Sequence, residues 1–257
     1  MQPNRWVALG IIGTMVVVAL ACPWLVRFNP DLSSADVLVG PSATYWLGTD
    51  DLGRDVFSRL LYGARISLLI GPSAALLATV IGVPIGLLSG FAGGALDLAS
   101  VQLIDLFISL PSLILALIIV ATIGASLPNL ILVLGIVMWP QMARMVRAQV
   151  LVLRETSFIE AARAVGSSRI RIVVRHLWPN TAHIVGAQFA IATSSAIFTA
   201  SSLGFLGLGL PPPAPDWGGM VQSGFDYIAQ NPLLSLAPGA AVTVTVFAFY
   251  LLGRDSG

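Results

Sequence analysis

The chain has 257 residues, of which 56% are hydrophobic and 10% charged; soluble domains carry about 25% charged residues. That excludes an ordinary soluble domain and identifies an integral membrane protein. The formal charge of +1 gives no pull toward nucleic acid, and the single cysteine, Cys22, excludes an internal disulfide and argues against a cysteine-based metal site.

Taken in order, the apolar runs predict six membrane spans. Span one covers about residues 6–26, after Arg5 and before Arg27. A cleaved leader is the rival reading, because Ala19-Leu20-Ala21-Cys22 is like a lipoprotein cleavage site. The length of the run, Pro23 after the cysteine and the later spans favour a retained helix. Residues 28–65 are polar and rich in aspartate: Asp31, Asp36, Asp50, Asp51 and Asp55. Asp55 is a good N-cap for a helix whose Val56, Phe57, Leu60, Leu61 and Ala64 share one face. This reads as an interfacial helix leading into span two. The aspartates lack EF-hand spacing, so turn and cap chemistry explains them better than calcium.

Span two covers about 66–88. Ala74, Ala78, Gly82, Gly86 and Gly90 form a small-residue stripe that permits close helix approach. Span three covers about 99–123, with Asp105 some two turns inside and Pro111 after it. An intramembrane carboxylate is a functional candidate by default; Asp105 reads better as an interfacial group that caps or pairs with a neighbour. Span four covers about 130–150, and Arg144 and Arg147 mark its emergence into water. Span five covers about 182–205. Gln188, Ser195, Thr199 and Ser202 fall near one of its faces and are candidate pathway-lining residues. Interhelical hydrogen bonding explains them equally well. Residues 206–232 form a Gly- and Pro-rich segment with Asp216 and Asp226, and span six covers about 233–252.

One polar interruption stands out, residues 154–180: RETSFIEAARAVGSSRIRIVVRHLWPN. It holds Arg154, Arg163, Arg169, Arg171 and Arg175 with Glu155 and Glu160. A charged side chain at a bilayer centre costs roughly 2.5–3.5 kcal/mol, so this segment lies in water. Phe158, Ile159, Ala162 and Val165 fall on one side of a short helix that Gly166 ends. Ile170, Val173, Val174 and Leu177 repeat the pattern and lead into span five. Six spans put both termini on one side. Arg5, the cluster from Arg144 to Arg175, and Arg254 share that side; the aspartate-rich 28–65 segment and the acidic 206–232 loop share the other. The positive-inside rule makes the termini and residues 154–180 cytoplasmic.

Glu160-Ala161-Ala162-Arg163-Ala164-Val165-Gly166, followed thirteen residues on by Pro179, resembles the EAA loop of ATP-binding-cassette importer permeases. WLGTDDLGRDVFSRLLYGARISL over residues 46–68 and SLGFLGLGLPPPAPDWGGM over residues 202–220 are similar to stretches flanking spans two and five in the dipeptide, oligopeptide and nickel permease family. The resemblance covers nearly the whole chain and matches the C-type subunit. It departs at Gly253-Arg254-Asp255, where the family continues with a longer tail, and at Thr199-Ala200-Ser201, near which the family often has a Glu.

The resemblance implies an all-α fold of six transmembrane helices, the type I ABC importer permease fold, in a bacterial cytoplasmic (inner) membrane. Residues 1–65 would hold the first span and an external segment. Residues 66–257 would form the permease core, with residues 154–180 as the coupling loop. The implied partners are a second homologous permease, two cytoplasmic ABC ATPases and an external solute-binding protein, besides membrane lipid. The implied ATPase-coupling residues are Phe158, Ile159, Glu160, Ala161, Ala162, Arg163 and Gly166. Phe158, Ile159 and Ala162 would be buried in a groove on the ATPase, with Glu160 and Arg163 at its rim; from the residues alone, a basic juxtamembrane helix lying on anionic lipid reads equally well. Asp50, Asp51 and Asp55 are candidates for an external gate or a docking point for the binding protein. No catalytic or metal-binding residue is expected, and ATP with its Mg ion would be bound by the partner ATPases. A chain without Lys cannot supply a phosphate-loop lysine.

Two rival classes are weaker. A membrane enzyme lacks an HExxH motif or a GxSxG elbow, and has only His176 and His183. An ion-gradient carrier would place ionisable groups mid-span, where only Asp105 comes close. Peptides are the expected cargo, since the spans carry no cluster of His or carboxylates for nickel.

Overall fold

The computed structural model describes residues 3–254; Asp255 of the short tail lies outside the described residues. The chain runs α1 (Pro3–Leu25), α2 (Val56–Ala92), α3 (Gly94–Ser109), α4 (Ser112–Ile123), α5 (Leu127–Leu153), α6 (Ser157–Ala164), α7 (Arg169–Ile172), a π-helical turn (Val173–Leu177), α8 (Trp178–Phe205), α9 (Trp217–Phe225) and α10 (Leu233–Arg254).

Asp55 starts α2. It sits extended at φ −68° and ψ 115°, and its side chain accepts the Ser58 N–H at 2.8 Å. The amphipathic stretch after it is not a separate interfacial helix. It continues without a break into the second span, 37 residues in all. At 1.5 Å per residue that is roughly 55 Å, against a hydrocarbon core of about 30 Å. The first turns of α2 therefore stand outside the membrane.

Among the described residues, five helical stretches are long and apolar enough to cross a membrane: residues 4–25, 56–92, 127–153, 169–205 and 233–254. The expected third span, 99–123, is two helices instead. α3 and α4 meet at 83°, and the spans number six when this pair counts as one. The cause is local. The Pro111 ring disfavours helical geometry at the residue before it, and Leu110 is extended at φ −93° and ψ 132°.

α2 and α5 form the central pair. Ala74, Ala78, Gly82, Gly86 and Gly90 are all buried. A Cβ on Gly82 would lie 2.6 Å from the Trp139 carbonyl oxygen, and one on Gly86 2.6 Å from that of Ala143. Only glycine lets the two backbones come this close. α8 packs against both, and Ser194 Oγ donates across to the Val246 carbonyl of α10 at 3.0 Å. One core cluster joins Ile70 and Ala74 to Val133, Leu134, Ala196 and Leu203. A second, at the other end of the bundle, joins Val83, Leu87, Met142 and Val146 to Ile159, Ile172 and Leu177. The polar loop is thus anchored in the core of the spans.

Candidate functional site

α6 is the short helix between the fourth and fifth expected spans. Thr156 precedes it in extended geometry, but its hydroxyl turns back to the Leu153 carbonyl instead of capping α6. The other end is closed by a Schellman motif. Ser167 N–H donates to the Ala162 carbonyl and Gly166 N–H to that of Arg163, each at 3.0 Å. Gly166 has φ +77°, the left-handed geometry this motif needs.

Burial corrects the expected docking face. Ile159 is 0% and Ala162 7% exposed, both within the core cluster of α2, α5 and α8. They are held by the chain itself and are not available to a groove on another protein. The bare face carries Phe158, Ala161 and Val165, at helical spacing; Phe158 is 41% and Val165 81% exposed. Glu160 is exposed and makes no ion pair among the described residues. Phe158 sits beside His176, ring centroids 6.4 Å apart. Arg163 turns back over the Phe91 ring at the end of α2, 5.3 Å from its centroid, and not toward a rim.

After α6 the chain restarts at Ser168, whose hydroxyl accepts the Arg171 N–H at 3.3 Å. The helix then widens to a π turn, with the Trp178 N–H reaching back to the Val173 carbonyl. Pro179 explains it. Its ring clashes with the carbonyl four residues back and supplies no N–H, and the wider turn accommodates both. The lead-in is otherwise continuous with the fifth span, as the sequence implied.

Arginines tie the span ends together. Arg147 makes a two-point bond to Asp97, at 2.6 and 2.9 Å, joining α5 to α3. Arg144 pairs with Asp105, so that carboxylate is an exposed, partnered group. Arg154 donates to Glu155 at 2.9 Å and to the Gly90 carbonyl at 3.2 Å.

The four polar residues of the fifth span do not form one exposed line. Gln188 and Thr199 are 8% and 7% exposed, within the chain's own packing. Ser195 is exposed, and Ser202 Oγ donates to the Phe198 carbonyl at 2.9 Å. The exposed strip of α8 runs through Ser195, Phe198 and Phe205. The interhelical hydrogen bond belongs to Ser194, one residue from the candidate. Spacing alone could not have found it, because the choice depends on how α8 is rotated against α10.

At the opposite end, the aspartates are largely used internally. Asp50 is 9% exposed; its Oδ1 accepts the Leu52 and Arg54 N–H groups at 3.0 and 2.9 Å, and its Oδ2 holds Arg54 Nε at 2.7 Å. Asp55 is the α2 cap. Asp51 lies within ion-pair distance of Arg54, 3.9 Å from Nη2, and its buried Oδ1 makes no hydrogen bond among the described residues. Arg59 Nη1 donates to the Pro30 and Pro213 carbonyls at 2.9 and 3.1 Å, and Trp217 Nε1 donates to the Leu60 carbonyl at 2.9 Å. Together they clasp both loops to the top of α2. Asp216 caps α9 through the N–H groups of Gly218 and Gly219. Burial raises its carboxyl above the usual carboxylate range, against the opposing pull of those two N–H groups. A cavity of about 270 Å³ lies here, bordered by Asp51, Arg54, Arg59 and Asp216. Among the described residues, no three His, Cys, Asp or Glu side chains group closely enough to hold a metal ion.

Residues 82–254 match the family described as binding-protein-dependent transport system inner membrane component. The dipeptide transport system permease protein DppC of Alkalihalophilus pseudofirmus is 38% identical over 248 residues, covering 96% of this chain and 82% of that protein. The glutathione transport system permease protein GsiD of Pectobacterium atrosepticum is 39% identical over 214 residues, covering 83% and 71%. Among solved structures, an inward-facing MetNI methionine ABC transporter matches 77% of this chain and 94% of its own, with a TM-score of 0.64 at 22% identity, a likeness of fold.

Proposed function

The chain belongs to the binding-protein-dependent transport system inner membrane components and has the type I ABC importer permease fold; from that premise we propose that it imports di- or oligopeptides as one of two paired permeases driven by cytoplasmic ATPases. Peptide cargo is supported by the relatives' names, which specify dipeptide, D,D-dipeptide, di/tripeptide and glutathione transport. Glutathione is itself a tripeptide.

The observation that carries the coupling role is the two-sidedness of α6. Its inner residues Ile159 and Ala162 are packed among Val83, Val146 and Val150 of α2 and α5. Its outer residues Phe158, Ala161 and Val165 are bare, with Glu160 beside them. A helix rigidly seated in the spans and exposed on its far side can transmit a partner's displacement. When an ATPase dimer closes, its differential grip on α6 biases the arrangement of α2, α5 and α8. On this reading the ATPases bind ATP and Mg, and the solute-binding protein delivers cargo at the opposite face, where the partly exposed Asp51 beside Arg54 is a docking candidate.

The test is the assembled complex with its second permease, ATPases and binding protein. Glu160→Arg should leave assembly intact and remove most cargo-stimulated ATP hydrolysis and uptake. Normal stimulated turnover in that variant would sink the coupling role. Uptake of labelled dipeptide, glutathione and nickel, each with the binding protein present, separates the cargoes; uptake of nickel alone would overturn the peptide reading.

A further inference from the structure

A pocket of about 540 Å³ opens between α6 and the ends of α2 and α5. Phe91, Arg154, Glu155, Arg163, Ser167 and Arg169 line it. Three guanidinium groups thus meet one carboxylate, a local excess of positive charge in a concave site. Glu155 is taken by Arg154. Arg163 lies over the face of Phe91, which leaves the N–H groups in its own plane free for another acceptor. Arg169 is exposed and has no ion pair among the described residues.

A second feature leads into the same pocket. On α2, Leu76, Val80 and Leu88 are 57%, 61% and 53% exposed, and Pro84 and Ala92 are exposed too. These residues recur every fourth position, two out of step with the buried row from Ala74 to Gly90. They therefore form an apolar ridge on the side of α2 turned away from α5. The ridge ends at Ala92, in the pocket wall.

We propose that this pocket binds the phosphodiester headgroup of an anionic phospholipid from the inner leaflet, with its acyl chains along Leu76, Val80 and Leu88. Both halves of the site are needed to choose the ligand. An acidic segment of a partner protein would answer the guanidinium groups but not an apolar ridge at membrane depth; an amphiphile answers both. Basic pockets at the cytoplasmic ends of spans are suited to such headgroups. The phosphate would bridge α6 to the ends of α2 and α5 and stiffen their connection. The site does not depend on which cargo is carried.

The full complex is reconstituted in nanodiscs of phosphatidylcholine doped with phosphatidylglycerol, and retained lipid is counted by native mass spectrometry. Phosphatidylglycerol should be retained over phosphatidylcholine. Arg169→Gln and Arg154→Gln should each lower its retention about fivefold, the factor equivalent to the ~1 kcal/mol of one arginine at a charged membrane surface. Arg169→Lys should retain most of it, and Arg254→Gln, outside the pocket, should change nothing. Recovery of the intact complex in each preparation separates lost lipid from lost folding. Three results overturn the proposal: equal retention in wild type and both glutamine variants; equal thermal protection by inorganic phosphate alone, which makes it a free-phosphate site; or loss of the ATPases with lipid retained, which makes it a protein interface.

Discussion

Gly166 has φ +77°, yet no atom lies within 4 Å of where its Cβ would be. Any cost of a side chain there is therefore backbone strain alone, about 1–2 kcal/mol for an L-residue in left-handed geometry. Gly166→Ala should lower stability by about that amount, read as a fall in the thermal midpoint of the complex. Gly166→Asn should cost less, because asparagine tolerates this region better. Equal effects from the two variants would count against the Schellman closure as the reason for glycine. Charge at single positions obeys the same economy. Asp97, Asp105 and Asp50 each meet an arginine in the folded chain. Asp51 lies 3.9 Å from Arg54 and its Oδ1 is buried; Glu160, by contrast, is exposed and without an ion pair among the described residues.

Among the elements, the α2–α5 pair bears the most, and its contact is backbone against backbone. A Cβ on Gly86 would also lie 2.8 Å from Val146 Cβ, on a neighbouring helix that has nowhere to retreat. Gly86→Val is an overpacking change, and such changes cost about 1–3 kcal/mol or more. It should sharply reduce recovery of folded protein from membranes, while Gly13→Val on α1, where nothing lies within 4 Å, should leave recovery unchanged. Fluorescence-detected gel filtration of the two variants compares them directly. α6 carries the complementary lesson. Helical spacing in the sequence grouped Phe158, Ile159, Ala162 and Val165 in one apolar set. The fold divides that set, seating Ile159 and Ala162 inside and leaving Phe158 and Val165 outside.

Across the whole molecule, the charge distribution predicts an orientation that can be checked. In a Cys22→Ser background, Ser42→Cys should react with a membrane-impermeant maleimide in intact cells. Ser168→Cys should react only after the membrane is opened. The reverse pattern would invert the topology, and with it the coupling role of α6. Arg54 and Arg59, which lie on the expected outer side, weaken the positive-inside count on paper. In the fold both are buried, and Asp50 lies 2.7 Å from one and 3.6 Å from the other, so they contribute little free charge to that face.

What depends on composition and on near neighbours along the chain was legible in the amino acids alone. Apolar runs set the spans, Asp55 the start of α2, the four-residue stripe the close helix face, and Gly166 the end of α6. Each is decided within a few residues, by hydrophobicity, capping or a single dihedral angle. Packing in three dimensions settled what those elements meet. It turned Ile159 and Ala162 into the core, gave the cross-helix bond to Ser194, and buried Gln188 and Thr199. The break of the third span at Leu110-Pro111 is again local, set by the proline ring, although hydropathy reads straight through it. Periodicity specifies which residues share a face of a helix. Which neighbour that face touches is fixed only by the helix's rotation and position in the bundle, and those are set by packing with residues far away in the chain.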